Sequence, residues 1–300
     1  MRILVTGGSG FIGSHLVDKL KDAGHSVRVF DMMPYQYRTD VEWYKGSLLN
    51  YDDVRMSMSR IDVVYHLAAV ANEKDAFNEP LYGEAINVRG TIHILEAARH
   101  SRCGRVILGS TVWVYGGTDG LDMDESTPLS PPPHLYTATK IASEYYCHSY
   151  SELYNLPTTI LRYGIPYGPR ARDAAVIPIF VRKALNGEPI TIAGDGLQFR
   201  KFVYVEDLAE GNMLALNEIA ENKIYNLDGR EMVTIRQIAE TIQKLVGNVE
   251  IQYIEKRPGD FSGKDVSSLH AKAELGWEPK INIEEGIRRY IEWFKENEDN

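Results

Sequence analysis

Cysteine is scarce in this chain: Cys103 and Cys147 are the only two in 300 residues. They lack metal-ligand spacing, so they read as buried or surface thiols in a reducing cytoplasm, with no metal or redox role. Basic charge is in deficit as well, 33 Lys and Arg against 42 Asp and Glu, for a net charge of -9. Affinity for a polyphosphate backbone needs clustered basic residues, and here they are scattered, which excludes a nucleic-acid binder. Phosphate-binding features therefore point to a small ligand. No apolar run is long enough to span a bilayer, and the residues after Met1 enter a strand-like stretch with no basic leader, so neither a membrane segment nor a signal peptide is expected. What remains is ordinary globular composition, 44% hydrophobic and 25% charged. It is enough for one large core or two unequal lobes.

From the start, strand-length apolar runs alternate with segments of helical periodicity: Ile3–Val5, Phe11–Lys21, Val27–Phe30, Val63–Leu67, Val88–Ala98, Val106–Leu108, Ala138–Tyr154 and Thr158–Leu161. This βαβ series, with strands of nearly continuous Val, Ile and Leu, predicts an α/β fold of Rossmann type, a doubly wound parallel sheet covered by helices on both faces. After about Arg162 the pattern becomes Gly/Pro-punctuated, with helices expected at Ile235–Val246 and Ile283–Asn297. The expected division is a Rossmann-type domain over 1–165 and a smaller C-terminal lobe over 166–300, with some segments returning to the sheet. The stripe Ile283, Ile287, Ile291 and Phe294 has the spacing of a core face.

Three glycines, Gly7, Gly10 and Gly13, follow the first strand and open the first helix. Gly7 permits a tight turn, Gly10 lets the backbone approach a pyrophosphate, and Gly13 lets the helix pack on the strand, while helix N-terminal amides face the anion. Such a pattern also marks ordinary turns. Its place between strand and helix, and Asp31 at the end of the second strand, make it a dinucleotide site. A carboxylate there accepts hydrogen bonds from the adenosine ribose and repels a 2′-phosphate, which favours NAD over NADP. Taken alone, Asp31 is equally a turn residue.

Tyr136 and Lys140 form the chain's only Tyr-x-x-x-Lys among 18 tyrosines. Positions i and i+4 share a helix face, so a Lys140 ammonium near the Tyr136 phenol would favour its ionised form and make it a general base. The bland alternative is a packed Tyr beside a solvated Lys.

The glycine spacing G-x-x-G-x-x-G resembles the short-chain dehydrogenase/reductase superfamily. Later blocks resemble its extended branch, the NAD-dependent nucleotide-sugar epimerases and dehydratases: His66-Leu67-Ala68-Ala69, Asn87-Val88-Arg89-Gly90-Thr91, Ser110-Thr111 with Val114-Tyr115-Gly116, Tyr136 with Lys140, Leu161-Arg162-Tyr163, Tyr167-Gly168-Pro169-Arg170, Phe202 to Leu208, and Arg257-Pro258-Gly259-Asp260. The resemblance runs essentially end to end. It implies a cofactor site of Gly7, Gly10, Phe11, Ile12, Gly13, Asp31, Leu48, Leu67, Ala68, Ala69, Asn87, Tyr136, Lys140 and Tyr163, with Lys140 on the nicotinamide ribose. It implies catalysis by Thr111, Tyr136 and Lys140, and substrate contacts from Thr111, Tyr136, Val176, Arg200, Arg257 and Asp260, the two arginines on the nucleotide diphosphate. It also implies a homodimer through helices around Glu84–Arg99 and Ile141–Tyr154.

Departures refine the expectation. After Thr111, related dehydratases carry Asp-Glu and related decarboxylases keep the Glu, whereas this chain has Val112-Trp113. Neither side chain transfers a proton, which leaves 4-epimerisation of a nucleotide sugar such as UDP-glucose or UDP-galactose as the simplest chemistry. Ile165, Ala175 and Ala76 stand where relatives have polar sugar contacts, and Ser47 replaces an Asp that meets the adenine. A less common sugar stays open, as do an epimerase of UDP-glucuronate or UDP-N-acetylhexosamine, an unusual dehydratase, a reductase, and a non-catalytic NAD-binding regulator.

Overall fold

The structure is a computed structural model describing residues 1–255 and 263–297. Its strands in chain order are β1 (Arg2–Thr6), β2 (Ser26–Asp31), β3 (Glu42–Lys45), β4 (Val63–His66), β5 (Arg105–Thr111), β6 (Asp122–Met123), β7 (Thr158–Tyr163), β8 (Ile165–Tyr167), β9 (Ile190–Ala193), β10 (Phe199–Tyr204), β11 (Lys223–Leu227), β12 (Met232–Thr234), β13 (Ile251–Ile254) and β14 (Asp265–Val266). The helices are α1 (Phe11–Asp22), α2 (Tyr51–Ser57), α3 (Glu73–Asn78), α4 (Pro80–Glu84), α5 (Gly90–Ser101), α6 (Leu135–Tyr154), α7 (Val176–Leu185), α8 (Val205–Leu214), α9 (Ile235–Val246), α10 (Leu269–Leu275) and α11 (Ile283–Asn297).

Seven strands form one sheet in the order β11-β7-β5-β4-β1-β2-β3, and every neighbouring pair in it is parallel. Such a sheet needs cover on both faces, and β5 and β7 are buried along their whole length. One face packs Leu16, Val17 and Leu20 of α1 with Leu208 of α8. The other takes Val54 of α2, Ile94 and Leu95 of α5, and Cys147 and Tyr150 of α6. The chain runs β1 to β3 in one direction and β4 to β11 in the other, so the order reverses between β1 and β4. That reversal opens a crevice at the strands' C-terminal ends, where ligands of such sheets bind.

The two edges of the sheet carry the least local pattern. β3 was absent from the predicted series, because its polar Glu-Trp-Tyr-Lys lies on the sheet edge with little burial. β11, from deep in the C-terminal half, completes the far edge by pairing with β7. A separate core joins Ile177, Phe180 and Val181 of α7, Ile238 and Ile242 of α9, and Ile287 and Ile291 of α11, with Ile283 and Phe294 packed against it. The predicted α11 stripe is thus core. Trp277 donates its indole N–H to the Asp207 carbonyl at 2.8 Å, and the Asp207 carboxylate accepts the amides of Lys280 and Ile281, tying the C-terminal segment to α8. Among the described residues, no helix is long and apolar enough to cross a membrane.

Candidate active site

The β1–α1 turn is built by exclusion of side chains. A Cβ on Gly13 would lie 2.2 Å from the Gly7 carbonyl oxygen, and one on Gly7, at φ +70°, would lie 2.7 Å from the Ala68 amide. Only glycine permits that closeness, so helix α1 begins directly against the crevice. No side chain caps its first turn. The amides of Phe11, Ile12 and Gly13 thus have no intrahelical acceptor and suit an anion. Asp31 ends β2 beside them, its two oxygens accepting the Ser9 and Met33 amides at 3.1 and 3.0 Å. Each oxygen keeps a further lone pair for a ribose hydroxyl. Ser9 and Met33 carry no side-chain signal that sequence reading could use, since they act through their backbone.

These residues open a cleft of about 660 Å³ whose walls include Gly7, Gly10, Phe11, Ile12, Gly13, Asp31, Leu48, Leu67, Ala68, Ala69, Tyr136, Lys140 and Tyr163. Thirteen expected cofactor residues thereby come together, and the glycine cradle, bare amides and placed carboxylate fit a dinucleotide. Asn87 stands behind the wall, 2% exposed, in a π-helical turn, Ala85–Arg89. Its amide accepts from the Val70 N–H at 2.8 Å and donates to the Val70 carbonyl and the Thr139 hydroxyl. It clamps the loop after β4 to α6. Ser47, in the adenine-side turn, donates its amide to Asp53.

At the other end, Thr111 closes β5 and caps the following 3₁₀ turn by accepting the Trp113 amide at 3.2 Å. Its hydroxyl lies close enough to the Tyr136 phenol to stabilise the ionised form. Burial pushes that phenol up to about 12, while Thr111 and the Arg172 guanidinium pull it down. Here the structure departs from expectation. Lys140 lines the same cleft one turn along α6, but its ammonium donates to the Gly109 carbonyl at 2.8 Å, and the cation acting on Tyr136 is Arg172. A buried ammonium needs an acceptor, and the β5 main chain provides one. Burial lowers Lys140 to about 8, against the raising effect of Glu144. Glu144 itself sits in a buried network, accepting from Ser110 at 2.5 Å and pairing with Arg162 at 2.7 Å.

The expected substrate residues are less gathered. Val176, the first residue of α7, packs toward the C-terminal core, and its neighbour Ala175 faces the cleft with Ile165, Ala171 and Arg172. Arg200 lies in an adjoining recess, its guanidinium 5.8 Å from the Trp113 ring centroid. Arg257 and Asp260 lie outside the described residues. Ala76 is buried in α3, away from the wall. Arg172 was missed by sequence reading, because it lies two residues past the Tyr167-Gly-Pro-Arg170 block, in an exposed loop with no periodicity.

The family signature of the NAD dependent epimerase/dehydratase family matches residues 3–228. The chain belongs to that family. NAD is its cofactor. A UDP-glucose 4-epimerase of Thermotoga maritima, solved with UDP-glucose, superposes with a TM-score of 0.93 at 32% identity over 99% of both chains. One of Thermus thermophilus, solved with NAD, gives 0.90 at 34% identity over 99% of this chain and 100% of that one. UDP-glucuronic acid decarboxylase 1 of Xenopus tropicalis is 34% identical over 98% of this chain and 72% of its own length. Relatives of different reactions thus lie at similar distance, and the reaction has to be argued from the site.

Proposed function

We propose that this family member is a nucleotide-sugar 4-epimerase acting on a UDP-sugar of the UDP-glucose/UDP-galactose type, with NAD retained between turnovers. The observation that carries the reading is Tyr136 in the cleft wall with the Thr111 hydroxyl acting on its phenol, Thr111 being followed by two residues, Val112 and Trp113, that transfer no proton. Elimination or decarboxylation at C5 and C6 needs a titratable group there; oxidation and reduction at C4 do not.

In this mechanism Tyr136 removes the proton of the sugar 4-hydroxyl and Thr111 holds that oxygen in line. When bound, NAD supplies the hydride acceptor and a positive ring that favours the phenolate. The 4-keto sugar then turns its other face, where C4 takes back the hydride as Tyr136 returns the proton to the C4 oxygen. Lys140, fixed by Gly109, keeps two N–H donors for the nicotinamide ribose. Asp31 holds the adenosine ribose, and its charge rejects a 2′-phosphate. Arg200 and Arg257 take the diphosphate, and Asp260 belongs to the same substrate segment. Ile165 and Ala175 on the cleft wall favour a second reading, epimerisation of another UDP-sugar by the same steps.

Exposed Tyr145, Leu153 and Tyr154 on α6 support a homodimer through α5 and α6. The two buried, unpaired thiols suit a cytoplasmic enzyme.

Adding UDP-glucose to the purified protein is expected to give a transient absorbance of reduced cofactor near neutral pH. Tyr136→Phe is expected to abolish it and to lower turnover by roughly 10²- to 10⁴-fold, the usual worth of a general base. Turnover unchanged in Tyr136→Phe would remove the assignment.

A further inference from the structure

Beside the cleft lies a recess of about 30 Å³, walled by Val112, Trp113, Ile165, Arg200 and Asp228 among others. Ile165 lines both cavities. Val112 and Trp113 directly follow Thr111, and the Arg200 guanidinium lies 5.8 Å from the Trp113 ring centroid. A sugar reaching from Tyr136 toward a diphosphate on Arg200 would pass this opening, and the volume is that of one water or one hydroxyl.

Its polar wall is Asp228, only 2% exposed, at the turn after β11. One carboxyl oxygen accepts the Gly229 amide at 2.8 Å and presses on Gly164, where an added Cβ would come within 2.1 Å of it. The other has no protein donor among the described residues. The cations in the wall have partners of their own: Lys201 pairs with Asp265 and the Val266 carbonyl, Lys264 with the Thr118 and Gly120 carbonyls, and Arg200 donates to the Phe199 carbonyl. Asp228 lines the recess, and its second oxygen keeps its lone pairs for a donor there.

We propose that Asp228 is a specificity-determining residue, hydrogen-bonding a neutral hydroxyl of the sugar in this recess and rejecting a sugar that presents a carboxylate there. Rejection follows from charge. Burial already pushes the Asp228 carboxyl up to about 7, the Gly229 amide and Lys201 pulling it down and Asp265 pushing it further up. A second carboxylate at hydrogen-bond distance is repelled by the ionised acid, increasingly so above about pH 7, whereas a hydroxyl can accept from the acid or donate to its anion at any pH. The inference rests on the epimerase reading and names the class of sugar it takes.

The test is the ratio of kcat/KM for UDP-glucose to that for UDP-glucuronate at about pH 8 to 9, where the Asp228 carboxyl is ionised, in the NAD-loaded enzyme, in wild type, Asp228→Asn and Asp228→Ser. Wild type is expected to favour UDP-glucose, and both variants to lower the ratio at least tenfold, Asn while keeping the melting temperature. A merely structural role would lower both substrates together. An unchanged ratio in variants that fold, or a wild type that prefers UDP-glucuronate, overturns the role of Asp228 and leaves the epimerase standing. Variants that do not fold at all make Asp228 a structural residue and overturn it as well. A wild type that converts neither sugar, nor any other nucleotide sugar, removes the epimerase reading itself.

Discussion

At the scale of the residue, the catalytic problem is a phenol that burial holds at about 12 and that must ionise near neutral pH. The structure puts two aids beside it, the Thr111 hydroxyl and the Arg172 guanidinium. Both lower the phenol's pKa, so removing either raises it. The fraction of phenolate at neutral pH then falls, and the rising limb of the pH profile moves to higher pH. Arg172→Gln is therefore expected to shift the limb of kcat/KM alkaline with little loss of activity at its new optimum. Thr111→Val, which also loses a contact to the reacting oxygen, is expected to shift it further and to lower the plateau. A limb unmoved in Arg172→Gln would show that this cation does not act on Tyr136. Because Arg172 is exposed, salt is expected to shrink its share of the shift.

At the scale of the element, the β1–α1 turn does two jobs with one set of glycines. It brings bare helix amides to the crevice, and it lets α1 sit on β1. A methyl group at Gly13 would meet the Gly7 carbonyl and the Gly8 Cα, backbone on both sides, so nothing flexible can yield. Gly13→Ala is expected to cost about 1–3 kcal/mol, the usual penalty of overpacking, and to yield protein that purifies without NAD. The ratio of absorbance at 260 and 280 nm and a thermal melt check both. Retention of NAD at wild-type stability would mean the turn has slack that its geometry denies. Helix α6 carries a similar double load. Tyr136 and Lys140 face the cleft, while one turn later Glu144 is locked to Arg162 of β7 and Ser110 of β5. A buried ion pair that is fully hydrogen-bonded fixes register more than it adds stability, and here it fixes the helix that presents the base.

At the scale of the whole molecule, the sequence was most readable where burial is continuous. The strands through Ile3–Val5, Val63–Val64, Val106–Leu108 and Thr158–Leu161 show as apolar runs because parallel strands are buried on both faces, and the glycine turn shows because only glycine fits it. The edge strand β3 was unreadable, since an exposed polar strand has no pattern to betray it. Which C-terminal segment returns to the sheet was equally hidden, since the pairing of β11 with β7 is a contact across more than fifty residues that no local spacing encodes. In the site, the spacing of Tyr136 and Lys140 announced a shared helix face. It did not announce that the Gly109 carbonyl would take the ammonium and leave Arg172 near the phenol. Asn87 was legible as a motif residue, but not as a clamp behind the wall, and Asp228 carried no motif at all.

The central claim, reversible inversion at C4 with retained NAD, meets its most direct test in the anomeric proton spectrum. The purified enzyme, with no added cofactor, is incubated separately with UDP-glucose and with UDP-galactose and followed by NMR. Epimerisation is expected to produce the C4 epimer's anomeric signal from either sugar and to reach the same mixture from both sides. No new signal from either sugar, even after NAD is supplied, would contradict UDP-glucose/UDP-galactose epimerisation, and the same spectra on other UDP-sugars would then decide between another substrate and no epimerase at all.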